Sequence, residues 1–517
     1  MIKKRFLPLI VIGFCLLFGL LYLFISPPTT TPDEIAHLAY PRYLLQENKL
    51  PSFTTSEDFW ESHQPPLYYI LSLPIVKLFS SLPIFNQLQL DRIVSFFIYG
   101  ASLLIFYFLL KKLFSQEYLL QATGLCFFGI PMVCYLSGSF SNDILMILIS
   151  VLLSYWIFYS SEKKFGHKEA IFFGICLGLG LLTKVHLYPF LLLAWLFILW
   201  KKPFFIWLEV SFVAFLSSFW WFLHNLKSTG DIFGLSHTFV LWGSQQENLS
   251  TFSSFFTLCA KLFSGFMGVF GKFTIAYPTI IYIIAAFAVF VFFLVLIKNY
   301  KDTRIKKTVA VIFALILFVI IQNFSFYQPQ GRYLVSIIPF IGIAFAIVAQ
   351  KSRLFFSQSL IFFSFGISLI VLNSYGLFLI HSYYKDNPVG SLIYPQTINL
   401  LEKKFIGDTQ QIEAVGGSIK IFLPATIATL QDFRLDSKKH PTVHIDTPNQ
   451  TEFSTVLRWK RLGDTSFTDS RSMQQTIVGS GEIQIKEPQN TLIQDIQVEI
   501  QSMHDSITVT NFSIYAR

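Results

Sequence analysis

A chain of 517 residues that is 53% hydrophobic and only 13% charged, with a mean hydropathy of +0.56, cannot be one soluble globule. From residue 381 onward there are 13 Lys and Arg against 15 Asp and Glu, so this stretch is net −2 and the rest must carry +11 to give the formal +9. The basic excess lies between apolar runs, which marks topology and not a nucleic-acid partner.

Runs long enough to cross a ~30 Å hydrocarbon core, which takes roughly 20 helical residues, predict a polytopic α-helical membrane protein with about eleven transmembrane helices. They fall at 6–26, 91–110, 118–137, 142–160, 169–183, 186–200, 204–223, 277–297, 308–327, 332–350 and 354–379. The first has a basic start, but its apolar core continues to Phe24 with no small-residue cleavage pattern, so it reads as an uncleaved helix. A twelfth apolar stretch, 65–82, carries Pro65, Pro66, Pro74 and Lys77. If it does not cross, the basic groups around Lys3, Lys111, Lys164, Lys201, Lys298 to Lys307, and Lys351 all share one side. If it crosses, every group after the first is thrown to the other side. The stretch is therefore expected to be a re-entrant or interfacial helix within a first external loop, 27–90. The N-terminus is then cytoplasmic, in a multi-pass protein of the plasma membrane.

With that topology, Asp33, Glu34, Arg42, His63, Arg92, Asn142, Asp143, Lys184, His186, His224, Asn225, Asp231, Gln330 and Arg332 all map to the external ends of the helices. Any one of them alone reads as a cap or a snorkelling anchor. Carboxylates and cations gathered in one plane beside hydrocarbon read as a functional site. The five cysteines, Cys15, Cys126, Cys134, Cys176 and Cys259, lie in or near spans, so neither a disulfide framework nor a metal site is expected. A transporter would hold its polar groups near the midplane in broken helices. Cations able to grip an anion, beside a carboxylate able to take a proton, instead suit group transfer from a phosphate-linked donor. At an external leaflet, where no nucleotide sugar is available, a lipid-linked phosphosugar fits.

An ordered series of motifs carries a resemblance. It runs Pro32-Asp33-Glu34, His63-Gln64-Pro65-Pro66-Leu67-Tyr68-Tyr69, Asp91-Arg92-Ile93-Val94-Ser95, Ser139-Phe140-Ser141-Asn142-Asp143 and Leu181-Leu182-Thr183-Lys184. It continues with Trp220-Trp221-Phe222-Leu223-His224-Asn225, Gly230-Asp231-Ile232-Phe233-Gly234 and Gln330-Gly331-Arg332-Tyr333. Over residues 1–380 the chain resembles the GT-C class of membrane glycosyltransferases, specifically glycosyltransferase family 39 and its relatives. That group includes protein O-mannosyltransferases and lipid A aminoarabinose transferases.

The resemblance implies that Asp33 is the catalytic base on an acceptor hydroxyl, with inversion at the sugar, and that Glu34 positions donor or acceptor. It implies that Arg332, Lys184 and Arg92 hold the polyprenyl phosphate, and that His63 shapes the donor pocket. Arg42, Asn142, Asp143, Asn225 and His224 fall to the substrate pocket. Relatives usually carry Arg where this chain has His224, which ranks that residue low. No cofactor is implied, the lipid-linked phosphosugar being a substrate. The partners are a polyprenyl-phosphate sugar, membrane lipids and a glycan, lipid or protein acceptor, with no nucleic acid.

Gly174-x-x-x-Gly178 within a span reads as a close-packing surface between helices. A second external loop, 226–276, is amphipathic from Phe252 to Phe270 and suits the membrane surface. Residues 381–517 read as an external β-rich domain, a small sandwich from about 410, because Ile493 to Ile500 and Ile507 to Tyr515 alternate as half-buried strands do. If that domain binds carbohydrate, Trp459 and Tyr515 are its possible stacking groups; a structural cap or a spacer fits equally well. The rival to an enzyme is a non-catalytic membrane protein, either a lipid-linked sugar transporter or a degenerate relative with a receptor-like tail.

Overall fold

In the computed structural model the described residues are 4–52, 61–82, 84–158, 165–199, 202–234, 251–351 and 358–386, with Arg471 and the strands named below between 397 and 516. The chain divides into two compact units, Met1–His381 and Ser382–Arg517.

The first unit is helical. In chain order its helices are α1 Leu7–Ile25, α2 Glu34–Glu47, α3 Leu67–Leu78, α4 Ile84–Asp91, α5 Ile93–Leu113, α6 Tyr118–Leu125, α7 Pro131–Ser137 and α8 Asp143–Phe158. There follow α9 His167–Leu181, α10 Tyr188–Leu199, α11 Phe204–Thr229, α12 Phe252–Gly268, α13 Thr279–Lys298, α14 Thr303–Ser325, α15 Ile338–Lys351 and α16 Gln358–Asp386. Among the described residues seven helices are long and apolar enough to cross a membrane. α6 with its 3₁₀ extension meets α7 at a 67° bend, and the two taken as one broken span would make an eighth. The bend falls where Pro131, lacking an N–H, cannot continue the preceding helix.

The remaining three expected spans lie on α8, α9 and α10, of 16, 15 and 12 residues. Of these, α8 is buried along most of its length between α5, α9, α10 and α15. By contrast α13 buries only Leu296, and it presents apolar side chains such as Phe287 and Ile284 all round, as a lipid-facing helix does. The Pro-rich stretch yields α3, 12 residues and therefore about 18 Å, too short to cross.

Two close approaches fix helix positions. A Cβ on Gly174 would meet Val210 O and Val213, and one on Gly178 would meet Ser217 and Ala214 O, so these glycines let α9 lie backbone-close on α11. Likewise Gly331 packs against Leu262 O and Phe266 N of α12, where a Cβ would overlap backbone atoms. The amphipathic helix of the second loop is thus seated, through Leu262, Gly265 and Phe266, on the Gln-Gly-Arg segment. Residues 235–250 of that loop lie outside the described residues.

The two ends of the bundle differ. At the C-terminal end of α8, Lys307 Nζ donates to Ile157 O (3.1 Å), Lys351 pairs with Asp302 (3.0 Å), and Gln350 donates to Glu117 (2.7 Å). At the N-terminal end, about 24 Å away by helix rise, Asp143 enters a buried ionic cluster.

After α12 a short antiparallel ribbon pairs β1 (Val269–Phe270) with β2 (Ile275–Ala276). Among the described residues the second unit contains three antiparallel sheets. One has the order β10 (Ser472–Val478), β9 (Glu452–Arg461), β12 (Leu492–Gln501), β6 (Ala425–Ala428), with β7 (Arg434–Asp436) also paired to β12. Another has the order β11 (Ser480–Gln484), β8 (Pro441–Asp446), β14 (Asn511–Ala516), β3 (Thr397–Asn399). The third is β13 (Ser506–Val509), β5 (Ser418–Phe422), β4 (Ile412–Val415). In β12 the apolar register shifts from Ile493 to Ile496, and the ladder has a bulge between Gln494 and Ile496 that absorbs the extra residue. Trp459 is inside, 4% exposed, on the face of β9 that also buries Phe453, Thr455 and Leu457. A ring packed there cannot stack on a sugar, which removes it as a stacking group. The side chain of Tyr515 lies outside the described residues.

Candidate functional site

The site is built at the start of α2. Asp33 precedes the helix with φ 57 and ψ 10, the left-handed region that costs a residue with a side chain about 1 kcal/mol or more. Its carboxylate makes no capping bond to α2. It turns instead to Arg332 Nη2, with which it forms an ion pair, and stays 31% exposed while Arg332 is only 3% exposed. Burial pushes the Asp33 carboxyl up, but the Arg332 guanidinium, with His37 and Lys184 behind it, outweighs burial and holds it below the usual carboxylate range.

Arg332 enters on the 3₁₀ turn Gly331–Ile337, anchored by α12 through Gly331. Its Nε donates to Gln330 Oε1 (2.7 Å) and its Nη1 lies 3.4 Å from Asp143 Oδ2. Asp143 accepts from Lys184 Nζ at 2.6 Å, and the same ammonium donates to Asn142 Oδ1 at 2.9 Å. At the head of α8 the Ser141 hydroxyl accepts the Asp143 N–H and donates to Asp143 Oδ2, both at 3.2 Å. Tyr333 lies beneath both cations, its ring 5.4 Å from Lys184 Nζ and 5.5 Å from the Arg332 guanidinium carbon, and His186 stacks on its ring at 4.0 Å. Asn142 Nδ2 meets Gln64 Oε1 at 3.5 Å, and Gln64 Nε2 contacts His63 Nε2 at 3.0 Å.

Asp33, Asn142, Asp143, Lys184 and Arg332 thus come together, with His63 one contact further out through Gln64. The other expected site residues are placed differently. Glu34 and Arg92 are both wholly buried and bonded to each other, Nε to Oε1 at 2.6 Å and Nη2 to Oε2 at 2.8 Å. The remaining Arg92 donors go to Ser26 O, Leu23 O, Pro27 O and Gln89 Oε1, and Glu34 also accepts from the N–H groups of Thr29 and Phe140. With all its donors taken by protein, Arg92 holds the loop that presents Asp33 and does not face a phosphate; Glu34 does not face a substrate. Arg42 is half-buried, with Asp91 as its charged neighbour. His224 Nε2 donates to Pro51 O (3.0 Å), and Asn225 Nδ2 donates to Ile232 O (3.2 Å), so these two brace loops.

Three residues were not singled out from the sequence. His37, one helical turn after Asp33, hydrogen-bonds through Nδ1 to Tyr69 Oη (2.9 Å) and lies 4.0 Å from Glu61 Oε2. Burial holds the His37 imidazole below its usual range against the pull of Glu61, and burial raises the Glu61 carboxyl. The i, i+4 spacing of Asp33 and His37 was the available signal. Tyr69 ends the His63–Tyr69 motif without having been given a role, and nothing local pointed to Glu61; both arrive from another segment.

Two solved structures of ArnT from Cupriavidus metallidurans are similar to this chain. The one bound to undecaprenyl phosphate is 12% identical with a TM-score of 0.45, covering 66% of this chain and 60% of that one. The apo structure is 11% identical with a TM-score of 0.47, covering 66% and 59%. The chain therefore spans about three fifths of the length of ArnT. No curated protein matches it in sequence. Residues 40–341, more than half of the chain and including every member of the cluster except Asp33 and His37, match the family described as predicted membrane protein DUF2142; the chain is a multi-pass membrane protein that belongs to that family.

Proposed function

We propose that this protein is an inverting glycosyltransferase that moves a sugar from a polyprenyl-phosphate donor to an acceptor hydroxyl. The observation that carries the reading is the Asp33–Arg332 pair: a partly exposed carboxylate in strained backbone, held ionised by a buried guanidinium that also reaches Asp143. The acceptor oxygen attacks the anomeric carbon as its proton passes to Asp33. The carbon–oxygen bond to phosphate breaks from the opposite face, and the electron pair leaves on the phosphate oxygen. Arg332 and Lys184, both buried beside Tyr333, offset that charge in a site of low dielectric. The ordered motifs of GT-C type and the surplus of basic residues at the opposite end of the bundle support this reading and an outward-facing site. The acceptor is a hydroxyl of a glycan, lipid or protein.

The test is Asp33→Asn in purified full-length protein supplied with polyprenyl-phosphate sugars. A general base contributes typically 10²–10⁴-fold, so transfer should fall by about that factor while donor binding persists. Wild-type turnover in the variant would exclude Asp33 as the base and remove the basis of the reading.

A further inference from the structure

We propose that Phe273, in the turn of the β1–β2 ribbon, is the ring on which the sugar of a lipid-linked phosphosugar stacks while its phosphate meets Arg332. The ribbon is held from below. Phe270 is buried against Tyr22, Tyr135 and Tyr277, with ring centroids 5.2 to 5.7 Å apart. The Gly271 N–H donates to the Tyr135 hydroxyl at 3.1 Å, and that hydroxyl lies 3.5 Å from Thr30 O. The ribbon and the loop that presents Asp33 therefore share one anchor. The turn brings the Phe273 ring to 5.8 Å from the Arg332 guanidinium carbon, within range of a cation–π contact. Tyr333, on the same guanidinium, is buried, whereas Phe273 keeps 39% of its surface open.

Backbone strain marks the residue. Phe273 has φ 62, and among the described residues the other non-glycine positions with positive φ are Thr29, Asp33, Asn48 and Ser115, all small or polar. A bulky side chain in left-handed backbone is an outlier, and such outliers gather at ligand sites. Asp33 and Phe273 both meet the Arg332 guanidinium, so two strained residues flank one cation. A ring that merely faced lipid would need no such backbone: Phe205 and Phe287 are more exposed and sit in regular helices. The chemistry suits a sugar. The face of a phenyl ring is its negative side, and a pyranose offers it a patch of weakly positive C–H groups. In a phosphosugar the anomeric carbon is two bonds from phosphorus, so a phosphate held by Arg332 brings the sugar within reach of Phe273. That this sugar is the one transferred rests on the transferase reading; the stacking requires only that a phosphosugar bind.

The experiment compares equilibrium binding of a polyprenyl monophosphate with that of the same lipid carrying each of a panel of hexoses and pentoses, on the full-length protein in nanodiscs. Wild type should bind at least one glycosylated lipid more tightly than the bare lipid. Phe273→Leu keeps the apolar bulk and loses the ring, so it should cut that advantage about three- to tenfold, with binding of the bare lipid as its fold control. Phe273→Tyr keeps the ring and should retain the advantage. A wild type with no advantage for any sugar, an unchanged advantage in Phe273→Leu, an equal loss for bare and glycosylated lipid, or loss of the advantage in Phe273→Tyr overturns the stacking role. Sugar transfer by Phe273→Leu with wild-type turnover and donor affinity also overturns it and leaves the transferase standing. The expected binding pattern in a wild type that transfers no sugar supports the stacking role and removes the transferase.

Discussion

Glu34 and Arg92 form a doubly bonded ion pair at 2.6 and 2.8 Å with both side chains sealed from solvent, one residue away from the half-open carboxylate of Asp33. Successive residues at a helix start point about 100° apart, so the two neighbouring acids separate into one that holds the loop and one that faces the site. Removing one partner of such a pair strands a buried charge. Arg92→Met should therefore destabilise the protein by about 3–5 kcal/mol, read as a lower melting temperature and poor yield. A well-folded Arg92→Met protein with weakened donor binding alone would instead return Arg92 to the phosphate.

Arg332→Lys keeps the charge and loses the planar fork. Because the guanidinium reaches Asp33, Gln330 and Asp143 at once, an ammonium can keep only part of that set. The loss of a charge-assisted bond costs about 1.5–3 kcal/mol, so donor use in a titration should fall about ten- to a hundredfold. Lys184→Met should also weaken donor use. An Arg332→Lys protein with unaltered donor affinity and turnover would make Arg332 a plain interfacial anchor.

Gly331→Ala should impair function with no change of charge. The added methyl would overlap backbone atoms of Leu262 and Phe266, which cannot swing aside as a side chain does. Either α12 lifts or Arg332 shifts, and overpacking of this kind costs about 1–3 kcal/mol. Melting and transfer should both fall, whereas Gly366→Ala, where the added methyl meets nothing within 4 Å, should leave both unchanged. Equal behaviour of the two variants would separate Gly331 from the placement of Arg332.

Asp302 offers a pH test away from the site. It caps α14 through Arg304 N–H and pairs with Arg304 and Lys351. Burial raises its carboxyl, but the Arg304 and Lys351 bonds outweigh that and depress it below the usual range. A depressed carboxyl contributes stability above its unfolded pKa of about 3.9 that is lost as pH falls through the lower folded value. Asp302→Ala should lower stability at neutral pH by about 1–2 kcal/mol. The difference from wild type should shrink below about pH 4, in melting curves taken across that range.

The orientation is tested by single cysteines on a background with the native five replaced. A cysteine at Lys49 should react with an impermeant reagent from outside intact cells, and one at Lys301 only after permeabilisation. The reverse pattern would turn the ionic cluster to the cytoplasm, where nucleotide sugars are available as donors.

The sequence by itself determined where the apolar helices lie, because hydrocarbon length and hydropathy are local properties of about 20 residues. It also determined that polar motifs recur at one set of helix ends, since that needs only the spans and the positive-inside count. Tertiary structure decided which charge meets which. Arg92 and Arg332 are equally basic and equally placed at helix ends, yet Arg92 is used up by Glu34 and four further acceptors while Arg332 reaches Asp33 across 299 residues. It also decided that Glu61 and Tyr69 join His37, that Trp459 faces inward, and that α8 lies buried among other helices. These are pairings between distant segments, and no local pattern of residues encodes a partner that arrives from elsewhere in the chain.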